Sequence, residues 1–155
     1  MRVAVIAPPW IPTPPPAYGG TEAVLDGLIN GLVRAGHDVL FAGHPDSTVP
    51  AEVVSPLPDR FSGDIGHGVS ELGHVLGAYE QAVAWDADVV HDHTIVGPIV
   101  GEPRCSIPMV VTHHGSFDAL TVPIFRRMAT TSIVSISHSQ ASTAGDLPIA
   151  AVVHH

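Results

Sequence analysis

The sequence predicts an α/β domain with a mostly parallel β-sheet, and two features support this prediction. Short apolar runs, beginning with residues 3–7, have the continuous and partly β-branched character of strands that are buried on both faces. Amphipathic helical segments alternate with these runs along the chain. Such alternation is typical of parallel sheets, because parallel neighbours need a crossover connection, which is usually a helix.

The individual elements can be assigned in order along the chain. The first helix is expected to begin with Thr21 as its N-cap and to end at Gly36, and a second long helix is predicted over 69–85. The remaining predicted strands are 38–43, 52–55, 87–91, 108–112, 132–135 and 150–153, with shorter helical stretches near 95–102, 119–129 and 138–145. Residues 56–68 are mixed and rich in proline and glycine, so no element is assigned to them.

Length and composition exclude several classes of protein. The 155 residues fit one domain, 1–155, and no apolar run approaches the roughly 20 residues of a transmembrane helix. The formal net charge of -9 disfavours nucleic acid as a partner. All six basic residues are arginines, which excludes a Walker-type or Schiff-base lysine in this chain. With Cys105 as the single cysteine and no signal-peptide pattern at the start, a cytoplasmic location is expected.

Polar residues and glycines follow the predicted strands, where ligands bind in open α/β sheets. We expect them to meet at one rim of the sheet. The candidates are Tyr18, Gly19, Gly20, Thr21 and Glu22 before or at the first helix, then Asp92, His93, His113, His114, Gly115, Ser137 and Gln140 after later strands.

The glycine pair at 19 and 20 has two readings. Glycines at a helix start let a phosphate approach the free N–H groups closely, and a tight turn is the structural alternative. The dinucleotide fingerprint G-x-G-x-x-G is absent, and the second strand is not followed by the acidic residue that would bind a ribose. The sequence therefore disfavours NAD binding.

The eleven histidines raise the possibility of a metal site. His91 and His93 would share one face of a strand, but the adjacent His113 and His114 would point in opposite directions. A three-histidine site would then need a special loop geometry, so no metal is predicted. A serine hydrolase is also disfavoured, because no G-x-S-x-G elbow is present.

Several motifs together resemble one enzyme family. The segment Y-G-G-T-E at 18–22, the strand-end motifs D-V-V-H-D-H at 88–93, V-T-H-H-G at 111–115 and V-S-I-S-H-S-Q at 134–140, and V-V-H-H at 152–155 occur in this order. In this order they resemble the N-terminal domain of GT-B glycosyltransferases of family 4. The resemblance implies a Rossmann-like three-layer sandwich that forms one half of a GT-B fold.

The resemblance also implies roles for the candidate residues. Gly19, Gly20 and Thr21 would approach the diphosphate of a nucleotide-sugar donor, and His114 would be the catalytic residue beside the transferred sugar. The acceptor or sugar would contact the remaining candidates, which are Tyr18, Glu22, Asp92, His93, His113, Gly115, Ser137 and Gln140. No metal or other cofactor is implied, because the nucleotide sugar is itself a substrate.

The predicted function is that of the acceptor-binding half of a retaining, hexosyltransferase-like enzyme. The family's nucleotide-sugar domain, with its E-x7-E motif, is not found in this sequence, so the isolated chain is expected to be nearly inactive and to self-associate through uncovered apolar surface. Two alternatives remain open: a non-catalytic ligand-binding or assembly module with the same fold, and half of a GT-B sugar epimerase.

Overall fold

The computed structural model describes residues 1–57 and 65–155, and seven parallel strands form its central sheet in the order β3-β2-β1-β4-β5-β6-β7. The strands are β1 Arg2–Ile6, β2 Asp38–Ala42, β3 Glu52–Val54, β4 Val89–Asp92, β5 Met109–His113, β6 Ser132–Ser135 and β7 Ile149–Val152. The helices are α1 Gly20–Arg34, α2 Gly68–Ala84, α3 Gly97–Gly101, α4 Val122–Phe125 and α5 His138–Ala141. The predicted α/β class with a Rossmann-like sheet is confirmed.

The strand order reverses direction between β1 and β4. β2 pairs with one side of β1, whereas β4 pairs with the other side, in a register that places Val3 opposite Val89 and Ile6 opposite Asp92. The connections that leave β1 and β4 therefore turn to opposite sides. Because a crevice opens at such a reversal, the carboxyl ends of β1 and β4 are where a ligand is expected.

Two helical layers cover the sheet, one on each face, and successive residues of β1 point alternately to the two layers. Val3 and Val5 pack with Leu25 and Ile29 of α1, while Ala4 and Ile6 face the layer that contains α2. A further cluster lies below β5 and β6, where Val111 and Ile133 pack with Phe117, Phe125, Ala144 and Leu147. Burying a side chain as large as Leu25 contributes about 1.5–3 kcal/mol, so these clusters fix the strands that carry the site.

Some predicted element boundaries are wrong. The N-cap of α1 is Gly19, and Thr21 lies inside the first turn. The helical stretches predicted near 119–129 and 138–145 shorten to the single turns α4 and α5, because prolines and turn-forming residues surround them. β4 and β5 each extend one residue further than predicted, which places Asp92 and His113 in strands. Residues 58–64, part of the unassigned segment, lie outside the described residues.

None of the helices within the described residues is both long and apolar enough to cross a bilayer.

Candidate functional site

A cleft of about 750 Å³ lies at the carboxyl ends of the strands, beside the reversal between β1 and β4. It is bounded by the loop after β1, the start of α1, the first turns of α2 and the loops after β4, β5 and β6. The candidates that line it are Tyr18, Gly19, Gly20, Thr21, Glu22, His93, His113, His114 and Gly115. One rim thus gathers most of the candidates.

The start of α1 forms one wall of the cleft. Gly19 is its N-cap and supplies no side chain to the first N–H groups of the helix. A Cβ at Gly19 would lie 2.6 Å from the Cβ of Pro15, so packing within the loop requires glycine there. A Cβ at Gly20, in contrast, would meet nothing within 4 Å. A side chain at position 20 is therefore compatible with the fold and would project into open space.

Imidazole rings from three segments form the opposite wall. The Nδ1 of His93 lies 2.8 Å from the Nε2 of His114, which is a hydrogen bond in which one nitrogen donates and the other accepts. The ring of His91 is tilted against that of His93 at 4.3 Å between centroids, and the ring of His155 stacks on that of His114 at 5.5 Å. The predicted opposition of His113 and His114 also holds, since His113 turns toward Phe117 and Phe125.

These imidazoles are neutral at pH 7. Burial and, to a smaller extent, the neighbouring histidines lower the pKa of His114 to about 4. Burial likewise lowers the pKa of His91 to about 4 and holds that of His93 well below its usual value. A neutral imidazole can donate one hydrogen bond and accept another. The pair is therefore suited to a hydroxyl-rich ligand rather than to charge neutralisation of a phosphate.

His93 retains one unused hydrogen-bonding atom. Its Nε2 is buried and has no partner among the described residues, while the ring lines the cleft. Because buried polar atoms are nearly always hydrogen-bonded, this nitrogen marks a place for a ligand group or a water molecule. His91 is different, since its Nε2 lies 2.8 Å from the hydroxyl oxygen of Thr112.

Asp92 does not line the cleft. As the last residue of β4 it turns to the opposite face of the sheet from His93 and is fully buried. Its carboxylate accepts hydrogen bonds from the Tyr79 hydroxyl at 2.8 Å and from the backbone and hydroxyl of Thr94 at 2.6 and 2.7 Å. Burial raises its pKa to about 6. Asp92 therefore fixes the backbone on either side of His93 from behind.

Ser137 and Gln140 also lie behind the cleft. The Ser137 hydroxyl accepts a hydrogen bond of 3.0 Å from the backbone N–H of Gln140 and caps α5. The Gln140 side chain accepts from the Ile136 N–H and donates to the carbonyl oxygens of His113 and Gly115. This one amide joins the loops after β5 and β6.

Several lining residues were missed by the sequence analysis. They include Trp10, Ile11, Glu71, Thr94, Ile95, Ile136 and His155. Thr94 and Ile95 lie within three residues of the end of β4 and Ile136 directly follows β6, so their position after a strand end is the sequence signal for them. Glu71 gives no such signal, because it sits within a helical pattern and reaches the cleft only through the packing of α2.

Within residues 1–57 and 65–155, no three His, Cys, Asp or Glu side chains are arranged to hold a metal ion.

Several solved structures share the fold of this chain. AviGT4, a glycosyltransferase involved in avilamycin A biosynthesis, superposes with a TM-score of 0.62 at 23% identity over 96% of this chain and 40% of its own. Sucrose-phosphate synthase from Thermosynechococcus elongatus gives a TM-score of 0.72 at 10% identity over 99% and 47% of the two chains. MurG from Acinetobacter baumannii gives 0.59 at 14% identity over 99% and 45%. The chain thus spans less than half the length of these proteins.

None of the curated proteins matches this sequence. The family model of Glycosyltransferase Family 4, however, matches residues 18–154, which extend from the start of the cleft to beyond the last strand. The chain belongs to Glycosyltransferase Family 4.

Proposed function

We propose that this domain forms one wall of the active site of an enzyme that transfers a sugar, with retention, from a nucleotide-sugar donor to an acceptor. The observation that carries the proposal is the position of the neutral His93–His114 pair across one cleft from the glycine-led start of α1. Family membership supports sugar transfer in general. The positions of residues around the cleft support separate places for the donor and the acceptor.

The donor diphosphate is assigned to the start of α1. The free N–H groups there and the positive end of the helix dipole favour anions, and the absence of side chains at Gly19 and Gly20 permits close approach. Thr21 lines the same part of the cleft. A diphosphate leaving group gains negative charge as its bond to the sugar breaks, so these donors act where that charge develops.

The sugar and the acceptor are assigned to the space between this helix and the imidazoles. His114 lies beside the sugar and exchanges hydrogen bonds with its hydroxyl groups as a neutral ring. His93 holds His114 through the 2.8 Å bond between the two rings. Tyr18, Glu22, His113 and Gly115 border the remaining space, while Asp92, Ser137 and Gln140 act only by positioning.

A second set of residues must complete the site. None of the described cleft residues is a cation, although a leaving diphosphate calls for positive charge. We therefore expect turnover by these 155 residues alone to be close to zero. Enzyme-like rates of sugar transfer from UDP-glucose, GDP-mannose or ADP-glucose by the isolated chain would contradict this part of the proposal.

A pair of glycine variants tests the donor assignment. Gly20→Leu places a side chain in open space at the cleft, and Gly27→Leu places the same side chain on an exposed part of the same helix. We expect titration calorimetry to show nucleotide-sugar binding weakened by about tenfold or more in Gly20→Leu and unchanged in Gly27→Leu. Equal affinities of both variants for the nucleotide sugar would contradict the assignment of the diphosphate to the start of α1.

A further inference from the structure

Charge is distributed unevenly between the two ends of the sheet. The five arginines of the described part of the chain are Arg2, Arg34, Arg104, Arg126 and Arg127. Each lies at the start of a strand or in the segment that leads into one, at the end of the sheet opposite the cleft. None of them lines the cleft. An anionic group in the cleft would therefore find no arginine partner among the described residues.

The cleft contains carboxylates instead. Glu22, in the first turn of α1, is 6% exposed and lines the cleft, yet no described residue forms a hydrogen bond or ion pair with its carboxylate. Its Oε2 lies 2.8 Å from the position that a Cβ of Gly19 would occupy. Because no described donor or cation reaches this carboxylate, a ligand in the cleft can supply one.

Glu71 adds to the negative potential. It lines the same cleft from α2, and burial raises its pKa even though the backbone N–H of Ile95 donates to it. A raised pKa of this origin means that the carboxylate is poorly stabilised where it stands. Two carboxylates and no described cation make the polar part of the cleft favourable to a positively charged ligand.

Apolar side chains also line the cleft. Side chains of Trp10, Ile11, Val24, Ile95 and Ile136 surround the polar groups. Ligand sites of this kind bury an apolar body and use a few polar groups to fix its orientation. The unpartnered Nε2 of His93 provides a second polar contact on the opposite wall.

We propose that the acceptor bound in this cleft is an amine-bearing molecule with an apolar body, whose ammonium group pairs with Glu22, and that phosphorylated or carboxylated acceptors are rejected. Only the identification of this amine as the acceptor of sugar transfer rests on the proposed function. An ammonium group at Glu22 also brings positive charge next to the start of α1. The substrate would thereby supply there a cation that the described cleft residues lack.

Three probes with one indole body and different charges test the inference. They are tryptamine, which carries an ammonium group, tryptophol, which is neutral, and indole-3-propionate, which is an anion. Each is titrated by NMR into the 155-residue chain, into Glu22→Gln and into Glu80→Gln. The last variant removes the same charge from an exposed position of α2 outside the cleft.

In the unmodified chain and in Glu80→Gln, we expect tryptamine to bind about tenfold more tightly than tryptophol. Indole-3-propionate should bind more weakly than either. Glu22→Gln should abolish this preference while tryptophol binds as before. The inference is overturned if the three probes bind equally, if none binds in the cleft, or if Glu22→Gln keeps the preference for the amine.

Nucleotide-sugar titration of the same samples separates the two proposals. If Gly20→Leu weakens nucleotide-sugar binding but no amine preference is found, the acceptor inference fails while the proposed function stands. If the amine preference depends on Glu22 but nucleotide sugars do not bind, the amine site stands and its assignment to an acceptor of sugar transfer fails.

Discussion

The two ends of the parallel sheet differ in how their carboxylates are satisfied. Glu102, at the end where β5 and β6 begin, accepts hydrogen bonds from the backbone N–H groups of Ala129, Thr130 and Thr131 and from the Thr131 hydroxyl. These bonds lower its pKa to about 2 against the opposing effect of its burial. Glu22, at the cleft end, is more deeply buried and has no such partner. The Glu102 carboxylate stabilises the fold through its hydrogen bonds, whereas the Glu22 carboxylate remains available to a ligand.

The largest expected effect is a loss of stability in acid, which arises from buried histidines at the cleft end of the sheet. The cleft end contains buried neutral histidines, of which His74 is fully buried and has its pKa lowered by burial to about 4. Because the unfolded chain has the higher histidine pKa of 6.5, it binds more protons between pH 6.5 and 4. The stability from keeping His74 neutral is therefore complete above pH 6.5 and is lost as the pH falls to 4. Asp92, whose pKa is raised to about 6, acts in the opposite sense but as a single group against several histidines.

Urea unfolding at pH 7 and at pH 4 measures this effect. We expect the free energy of unfolding to fall by on the order of 3 kcal/mol or more, to which His74 contributes together with His91, His93 and His114. His74→Leu should make the dependence on pH shallower, whereas His138→Asn, at an exposed position, should leave it unchanged. A free energy of unfolding that does not vary between the two pH values would refute the buried neutral state.

The second prediction compares the two glutamates directly. Glu102→Ala leaves three backbone N–H groups without their acceptor and should lower the free energy of unfolding by about 2 kcal/mol. Glu22→Ala removes a carboxylate that has no partner among the described residues, so no hydrogen bond or ion pair is lost, and the free energy of unfolding should change by less than about 0.5 kcal/mol. Denaturation of both variants at pH 7 gives the comparison. Equal losses would mean that Glu22 also serves the fold.

The third prediction concerns Asp92, the satisfied carboxylate behind the cleft. Tyr79→Phe removes one of its donors and should cost about 1–2 kcal/mol of stability. Because that hydrogen bond favours the ionised carboxylate, the pKa of Asp92 should rise above about 6, which a carbon-detected NMR titration would follow. If the pKa falls or stays constant, the Tyr79 hydroxyl is not a donor to Asp92.

The smallest effect is expected for the ion pair between Arg126 and Asp146. Both side chains are mostly exposed, at 54% and 72%, so solvent screens their attraction. We expect no measurable change in melting temperature for Asp146→Asn. A clear loss of stability would show that exposed ion pairs also stabilise this end of the sheet. The hydrogen bonds from backbone N–H groups to Glu102 would then not be its main polar stabilisation.

The fold could be predicted because its signals are local. Apolar runs such as that of β1 and the spacing of Leu25 and Ile29 in α1 record burial directly in the sequence. The ends of elements were less predictable, since Gly19 caps α1 without any side-chain signal. Asp92 is an example, since β4 extends one residue further than predicted and includes this buried carboxylate.

The parts of the site that sequence reasoning missed depend on tertiary packing. Glu71 reaches the cleft from the first turn of α2, and Trp10 reaches it from the proline-rich loop between β1 and α1. The His93–His114 hydrogen bond depends on the lateral pairing of β4 with β5. No spacing within one segment encodes such a contact.

The Gln140 side chain links two segments beside the cleft. Its amide holds the Ile136 N–H on one loop and the carbonyl oxygens of His113 and Gly115 on another. A ligand that displaces Gly115 must therefore either break these bonds or carry the loop after β6 with it. Amide hydrogen exchange at Ile136 consequently reports on motion beside His114, a position with which its own N–H has no contact.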